Sequence, residues 1–343
     1  MSAGTPRLIL ATSPFVKRAV DTPHIMRHVI YSLVPVLLAG AYFFGLSAIL
    51  LVLACILGCV VTEWLSRGRG SLAASSLTDG SAVVTGLLLA LTLPPGLPLW
   101  MGFLGGAFGI VFGKLLFGGL GHNVFNPSLV GRAFLQACFP LAITTWSVHH
   151  GLGEFLDVHR STLALPFLSP QADAVTTATP LARMKFESTP TALRDLFLGS
   201  RPGSLGETSS VMILLGGAYL AYRRFLNWRI PVGMLASAFA VGTLLHLSNA
   251  DKYPDGLFHL LSGGMMLGAV FMATDPVTSP VTPRGAWIFA AGCGALVVVI
   301  RLFSGLPEGV MYAILLMNGF TPLIDRFTQP RTYGTGRRQK NGG

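Results

Sequence analysis

Long apolar runs separated by short polar segments set the pattern of this chain. Many of these runs approach the roughly 20 residues that an α-helix needs to cross a bilayer. We predict ten membrane-spanning helices, at 28–45, 46–65, 79–95, 98–117, 124–146, 208–226, 230–248, 257–275, 286–304 and 308–326. The pattern therefore predicts an all-α integral membrane protein with about ten transmembrane helices.

The two halves of the chain are weakly similar to each other. The matched stretches are 28–45 with 227–242, 85–100 with 267–282, and 126–134 with 318–327, and prolines and asparagines recur in them in the same order. Since each half has five spans, the second copy would enter the membrane from the opposite side. This predicts two inverted five-helix repeats with broken helices and a binding site where the repeats meet. Chance similarity between apolar helices is the alternative.

The distribution of basic residues predicts the orientation, because cytoplasmic connections carry an excess of Lys and Arg. With the N-terminus inside, most basic residues, Lys114 among them, fall on the cytoplasmic side, so both termini are predicted to be cytoplasmic. No cleavable signal sequence is expected at the N-terminus. The predicted regions are a cytoplasmic segment 1–27, a first repeat 28–146, a periplasmic loop 147–207, a second repeat 208–326 and a basic cytoplasmic tail 327–343.

Composition agrees with a protein whose solvent is lipid. Hydrophobic residues make up 52% of the chain and charged residues only 11%, whereas soluble domains carry about 25% charged residues. The formal net charge of +10 raises the question of nucleic-acid binding. Much of the Lys and Arg flanks apolar runs, where it orients helices. We therefore expect a lipid bilayer, and no nucleic acid, as a partner.

Small residues inside the predicted spans are interpreted as packing positions. Gly105, Gly109 and Gly113 have the spacing that lets two helices approach closely. The cysteines, Cys55, Cys59, Cys138 and Cys293, lie in apolar segments without a CxxC motif or an accompanying histidine cluster. We therefore predict no metal or iron–sulfur site.

Three carboxylates fall within or beside predicted spans, namely Asp79, Asp275 and Asp325. An intramembrane carboxylate costs roughly 2.5–3.5 kcal/mol to insert, so each one is a candidate functional residue. Asp275 precedes Pro276, where the helix should break, and free carbonyls beside a carboxylate suit a cation site or a proton relay. The alternative is a helix-end role, above all for Asp325, which is next to Arg326.

Two asparagines make the stretch "GHNVFNPSLVGRAF" unusually polar. The amides of Asn123 and Asn126 offer donors and acceptors that could bind a heterocycle such as a flavin. Alternatively, Asn126 is the N-cap of the fifth span, with a proline in the first turn. Both roles remain open at this point.

The segment "DAVTTATPL" (173–181) resembles the D-x-x-[ST]-G-A-T-x-L flavinylation motif. The stretches "LTLPPGLPLW", "GHNVFNPSLVGRAF", "FMATDPVTSPVTPRGAW" and "LPEGVMYAILLMNGFTPLIDRF" extend the similarity over nearly the whole chain. Together they resemble the D subunit of the Rnf complex, a bacterial membrane assembly that couples ferredoxin–NAD electron transfer to ion movement. The homologous B subunit of the sodium-pumping NADH:quinone oxidoreductase, generally longer at its N-terminus, is the alternative.

The resemblance implies that Thr179 carries FMN through a phosphoester bond. The positions recognised by a flavin transferase would then be Asp173, Thr176, Ala178 and Leu181. Thr177 stands where the family usually has glycine, and a threonine restricts the backbone there. Arg183 and Lys185 follow closely enough in sequence to lie near the added phosphate charge.

The resemblance also implies a second flavin, riboflavin, held by Asn123 and Asn126. Asp79, Asp275 and Asp325 match acidic positions implicated in the movement of Na⁺ or H⁺. The chain would act in the bacterial inner membrane, together with the other Rnf subunits, and would not be active alone.

Two functions of other kinds compete with a redox subunit. An inverted repeat also suits a channel or secondary transporter for a small solute, but such a protein has no use for a flavin attachment motif. The second alternative is a scaffold protein with a vestigial flavin site. It stays open because Thr177 replaces the glycine that the family usually has in the motif.

Overall fold

The computed structural model describes residues 21–66, 78–146, 155–156, 158, 160–166, 178–187, 196–197, 203–207, 209–250 and 252–330. Within these residues the regular structure is helical and contains no β-strand. The α-helices are α1 (Thr22–Leu65), α2 (Ser81–Leu91), α3 (Leu99–Ile110), α4 (Pro127–Cys138), α5 (Pro140–Thr144), α6 (Pro180–Ala182), α7 (Ser210–Tyr222), α8 (Arg229–Ser248), α9 (Gly256–Leu261), α10 (Met265–Leu267), α11 (Pro283–Phe303) and α12 (Val310–Thr328). Wider π-helical turns follow α3 (Val111–Leu115), α6 (Arg183–Glu187) and α10 (Gly268–Met272).

Helix α1 consists of two arms that meet at Gly45. This glycine has φ +65° and ψ −150°, a conformation that other residues rarely adopt. A Cβ atom there would lie 2.7 Å from the carbonyl oxygen of Phe155, and the next amide, of Leu46, donates to that same oxygen at 2.9 Å. The bend falls at the predicted boundary between the spans 28–45 and 46–65.

Three helices in the described part of the chain, α1, α8 and α11, are long and apolar enough to cross a membrane. The predicted spans 79–95, 124–146 and 257–275 are interrupted instead. Helix α2 ends shortly before a pair of prolines and α4 ends before Pro140, because proline removes a helical hydrogen bond. Between α9 and α10, Gly263 has φ +61°. The structure thus contains broken helices of the kind that the sequence predicts.

In the first half of the chain, the second arm of α1 packs against α3 through small residues. A Cβ atom at Gly106 would lie 2.6 Å from the carbonyl oxygen of Cys55 and 3.1 Å from the sulfur of Cys59. At Gly102 it would lie 3.1 Å from the sulfur of Cys55. These two cysteines therefore act as the packing residues that the sequence predicts.

The second half repeats this pairing between α8 and α11. A Cβ atom at Gly233 of α8 would lie 2.9 Å from the Cβ of Ala290 in α11. The halves meet through equivalent helices, since the first arm of α1 packs on α7 and α4 packs on α12. This arrangement is the one expected of two copies of one unit.

The predicted glycine stripe is confirmed as a packing surface between α3 and α4. A Cβ atom at Gly109 would lie 2.6 Å from the carbonyl oxygen of Pro127, and one at Gly113 would lie 2.6 Å from its Cα. A Cβ atom at Gly105 would clash with the side chain of Leu135. The stripe holds α4, and so its polar N-terminus, against α3.

Candidate functional site

Thr179 lies immediately before the short helix α6 and caps it. Its Oγ1 accepts a hydrogen bond from the amide of Ala182 at 3.2 Å, which satisfies one of the free amides of the first turn. The residue is only 7% exposed. Thr179 therefore holds a fixed position inside the protein wall. Of the other motif positions, Ala178 and Leu181 are described, whereas Asp173, Thr176 and Thr177 lie outside the described residues.

The wall that contains Thr179 borders a cavity of about 360 Å³. Aromatic side chains line it at Trp146 and Phe186, and charged side chains line it at Arg132 and Glu308. Arg132 comes from α4, is 6% exposed, and has an Nε without a hydrogen-bond partner among the described residues. The cavity therefore combines a hydroxyl, aromatic rings and a buried cation.

Two carboxylates and a second arginine complete the charges around this cavity. Arg301 Nη2 donates to Glu308 Oε1 at 3.2 Å, and the amide of Gly264 donates to Glu308 Oε2 at 3.2 Å. Burial, followed by the nearby charge of Glu308, raises the pKa of Glu207, although Arg132 acts in the opposite direction. Both negative and positive side chains therefore border the Thr179 cavity.

The basic residues that follow Thr179 in sequence are not part of its cavity. Lys185 Nζ donates to the carbonyl oxygens of Arg301 at 2.7 Å, Leu306 at 2.9 Å and Ser304. Arg183 is half-exposed and faces Glu187 at 3.7 Å. The cation beside Thr179 is instead Arg132, which is 47 positions away in the chain. Sequence reasoning missed this residue, although it lies in the polar stretch that contains Asn126.

Asn126 has the N-cap role that the sequence left open. Its Oδ1 accepts from the amide of Ser128 at 3.0 Å and from the Ser128 hydroxyl at 2.6 Å. Its Nδ2 donates to the carbonyl oxygen of Met272 at 3.1 Å, which connects the two halves of the chain. Asn123 Nδ2 donates to the Phe125 carbonyl at 3.3 Å, while its buried Oδ1 has no partner among the described residues.

Both asparagines border a second cavity, of about 90 Å³, between the two halves. Asp275, Ser81 and Lys114 line it as well. Asp275 accepts hydrogen bonds from the amide of Val277 at 3.2 Å and, less closely, from a neighbouring hydroxyl. The structure therefore brings Asn123, Asn126 and Asp275 together.

The other two carboxylates singled out from the sequence do not border this cavity. Asp79 is 8% exposed and accepts from the amide of Ser81 at 2.7 Å, where α2 begins. Asp325, near the end of α12, accepts from the amide of Val281 at 3.1 Å. Both carboxylates satisfy backbone amides beside helix ends.

A buried ion pair that sequence reasoning missed lies beside the second cavity. Lys114 Nζ is 2.6 Å from Glu63 Oε1 and 2.6 Å from the Ser81 hydroxyl, and the lysine is 1% exposed. The sequence interpretation counted Lys114 among the basic residues of the cytoplasmic side and did not foresee that its charge is paired inside the bundle. Glu63 was detectable, since it is a carboxylate within the predicted span 46–65.

The whole described bundle lies within one family match. The model of the NQR2, RnfD, RnfE family matches residues 9–334. The D subunit of the proton-translocating ferredoxin:NAD(+) oxidoreductase complex of Clostridium ljungdahlii is 41% identical, with 96% of each chain covered. The D subunit of the ion-translocating oxidoreductase complex of Stutzerimonas stutzeri is 44% identical, with 95% of each covered. The D subunit of the Na(+)-translocating ferredoxin:NAD(+) oxidoreductase complex of Acetobacterium woodii is 42% identical, with 97% of each covered.

These matches run through the Thr179 loop, the asparagine stretch and both halves of the bundle. Helical architecture, broken apolar helices and near-complete coverage by proteins of similar length agree with one another. The chain therefore belongs to the NQR2, RnfD, RnfE family of membrane proteins.

Proposed function

We propose that this chain is the D subunit of an Rnf-type ion-translocating oxidoreductase complex and that Thr179 carries FMN through a phosphoester bond. Near full-length similarity to proteins named as D subunits supports the place in a complex. The observation that carries the flavin proposal is the position of Thr179, whose hydroxyl lies in the wall of a cavity lined by aromatic rings and Arg132.

The residues around Thr179 fit such a group. An FMN phosphoester needs a hydroxyl for attachment, a cation near the phosphate, and an apolar surface for the ring system. Thr179 supplies the hydroxyl, Arg132 the cation, and Trp146 and Phe186 the aromatic surface. When bound, FMN supplies reversible electron transfer, while the protein binds and orients the group and adjusts its electrostatic environment.

Arg132 would have two effects in this site. Its buried guanidinium would stabilise the negative phosphoester, because charge-assisted hydrogen bonds are strong away from water. Because the ion pair with Glu308 occupies Arg301, Arg132 is the cation that we assign to the phosphate. The N-cap hydrogen bond to Ala182 would hold the Thr179 oxygen in a single orientation.

The complex would transfer electrons across the membrane between ferredoxin and NAD and couple that transfer to ion movement. Relatives of nearly equal identity are named for protons and for Na⁺, and the coupled ion proposed for this chain is accordingly H⁺ or Na⁺. The partners in this function are the other Rnf subunits and a flavin transferase that attaches FMN. Of the three candidate carboxylates, we propose Asp275 for the ion path, because it borders the cavity between the halves.

A second flavin, riboflavin, is proposed beside Asn123. The unpartnered Oδ1 of Asn123 could accept a hydrogen bond from a flavin ring, whereas the amide of Asn126 is used within the protein. The cavity there is about 90 Å³, which is smaller than a flavin ring, so its walls would have to separate for a flavin to enter. Asn126 would then support the site by fixing α4.

The test uses the full chain co-expressed with a flavin transferase, followed by in-gel flavin fluorescence and intact mass. Wild type and Thr179→Ser are expected to carry a covalent FMN mass, and Thr179→Val to carry none. Arg132→Gln should reduce incorporation several-fold. Arg183→Gln, which removes the arginine nearer in sequence, should leave it unchanged.

Absence of FMN from wild type, under conditions that modify a known substrate of the transferase, would refute the attachment. The scaffold function and the solute-transport function would then be favoured over a redox function. Equal incorporation in Arg132→Gln and Arg183→Gln would refute the role of Arg132 and leave Thr179 as the attachment residue.

A further inference from the structure

A contact between His28 and Arg223 joins the start of α1 to the end of α7. Arg223 Nη2 lies 3.1 Å from His28 Nε2, and His28 Nδ1 lies 2.6 Å from the hydroxyl of Tyr219. The imidazole is half-buried and the guanidinium is exposed. These three residues do not line the Thr179 cavity, so the proposed flavin attachment does not account for the contact.

The hydrogen bonds of His28 define its protonation state. A guanidinium donates hydrogen bonds and accepts none, so His28 Nε2 must offer its lone pair to Arg223. The ring proton is then on Nδ1 and is donated to the Tyr219 hydroxyl. The contact therefore requires a neutral imidazole. A second proton would be placed on Nε2, where it would point at a positive group.

The surroundings of His28 make this contact sensitive to that second proton. The titratable side chains that face the ring are His24, Arg27 and Tyr31 on α1, and Tyr219 and Arg223 on α7. None of these groups is a carboxylate that could balance a protonated imidazole. Two positive charges in contact repel each other, so protonation of His28 would separate it from Arg223.

The turn that follows α7 has a conformation that favours glycine. Arg224 has φ +61°, and its amide donates to the carbonyl oxygen of Ala221 at 3.0 Å. The amide of Phe225 donates to the carbonyl oxygen of Leu220 at 2.9 Å. This pair of bonds is a Schellman motif, in which the left-handed position is usually glycine. An arginine is strained at that position, so the contacts around the turn must hold it in place.

Phe225 connects the strained turn with the cavity of about 90 Å³ between the two halves. The centroid of its ring is 5.2 Å from that of His28 and 5.8 Å from that of His24. Arg223 Cζ lies 5.8 Å from the same ring. Phe225 also lines the cavity, in a wall that the start of α1 and the end of α7 form together. The contact between His28 and Arg223 thus holds a ring that closes this wall.

We propose that His28 and Arg223 form a proton-sensitive gate to the cavity between the two halves. While His28 is neutral, the contact keeps Phe225 in the cavity wall. When His28 takes up a proton, the two cations separate, the strained turn at Arg224 relaxes and Phe225 leaves the wall. The cavity then opens at the end of the bundle that is predicted to be cytoplasmic.

The gate is closed at neutral pH and opens as the pH falls into the range where histidine titrates. Because Asp275 borders the same cavity, an open gate would connect this carboxylate with the solvent. That consequence rests on the proposed role of Asp275 in ion movement. The gate itself rests on the contacts between α1 and α7.

The test measures access to the cavity with a cysteine at Thr85, a buried residue of the cavity lining. The purified full-length chain with Thr85→Cys, in a Cys138→Ser background, is labelled with N-ethylmaleimide at about pH 7.5 and about pH 5.5. Each rate is divided by that of Leu165→Cys, which is 64% exposed, because thiol ionisation changes with pH at both positions. The corrected rate should rise about fivefold at the lower pH.

Three variants assign the response to the gate. His28→Gln keeps an acceptor for Arg223 but takes up no proton, so its corrected rate should stay low at both pH values. The matched control is His24→Gln, which removes the neighbouring imidazole and should retain the rise. Arg223→Ala removes the contact, so its corrected rate should be high at both pH values. Because Arg223 is exposed, this variant should fold normally.

Equal corrected rates at the two pH values, in the protein with only the reporter changes, would overturn the proposal. Retention of the rise in His28→Gln, or its loss in His24→Gln, would also overturn it, since the response would then belong to another group. Slow labelling of Arg223→Ala at neutral pH would show that the contact does not hold the wall. The same pH response is expected in a Thr179→Val background, so failure of the gate and failure of flavin attachment are distinguishable.

Discussion

Single polar side chains in this bundle hold their places through short contacts with distant parts of the chain. Asn126 caps α4 and at the same time donates to the Met272 carbonyl in the other half. Lys114 connects α2, through Ser81, with Glu63 on the second arm of α1. A buried polar residue of this kind is both a structural connection and a source of instability if its partner is removed.

Lys114→Met tests this role of the Glu63–Lys114 pair. The variant leaves Glu63 buried without its cation, and breaking a buried ion pair costs about 3–5 kcal/mol of unfolding free energy. The measurement is denaturant unfolding in mixed micelles, followed by circular dichroism. The double variant Glu63→Met, Lys114→Met should lose less stability than the single one, because no lone charge remains. A loss in Lys114→Met below about 1 kcal/mol, as for an exposed pair, would contradict the prediction.

Residue-scale roles could be predicted only where the neighbours are local. The cap at Asn126 follows from the amide and the proline beside it, and the motif around Thr179 is a continuous stretch. Arg132 could not be assigned to the Thr179 cavity, because only the fold brings α4 next to that loop. The ion pair of Lys114 could not be predicted either, because its partner lies 51 positions away in the chain.

At the scale of elements, close helix contacts depend on the absence of side chains. Helix α3 approaches both the second arm of α1 and α4 through its glycines. The spacing of these glycines was enough to predict a close contact. The choice of partner was not predictable, since the spacing carries no information about which helix lies opposite.

Gly109→Val should separate α3 from α4. Its first carbon would already lie 2.6 Å from the carbonyl oxygen of Pro127, so the backbone must shift. Overpacking of this kind costs about 1–3 kcal/mol. We expect a lower thermal unfolding midpoint in detergent, and also weaker flavin incorporation, because α4 carries Arg132. The control is Gly305→Ala, an exposed position with no atom within 4 Å of the added carbon. Equal midpoints for the two variants would contradict this account of the stripe.

At the scale of elements, the positions of the helix breaks were predicted better than the lengths of the helices. The prolines after α2 and α4 mark where those helices stop. Hydropathy alone extended the predicted spans through these breaks, because the broken segments remain apolar. Gly45 shows the opposite case, in which two spans meet without any polar loop between them.

At the scale of the whole molecule, the helix ends fall into two groups. Arg223 Nη2 lies 3.1 Å from His28 Nε2, which brings the end of α7 to the start of α1. The rings of Trp228 and Trp287 are 5.9 Å apart, and this contact adds the starts of α8 and α11 to the same group. The Thr179 loop belongs to the other group, with the ends of α8 and α11. Three basic residues of the predicted cytoplasmic side, Arg223, Arg229 and Arg284, thus lie at the first group of helix ends.

This grouping leads to a prediction about which end faces the cytoplasm. By the excess of Lys and Arg in cytoplasmic connections, the end with Arg223 should lie inside and the Thr179 end outside. Two reporter positions are exposed in the structure, Leu165 at 64% in the predicted outer loop and Tyr222 at 86% next to Arg223. Each is changed to cysteine in a Cys138→Ser background, since Cys138 is the exposed native cysteine among the four. A membrane-impermeant maleimide should label Leu165→Cys in spheroplasts and Tyr222→Cys only after the membrane is permeabilised.

The reverse pattern would place the flavin loop in the cytoplasm. Labelling of both positions in sealed spheroplasts would contradict a separation of the two ends by the membrane.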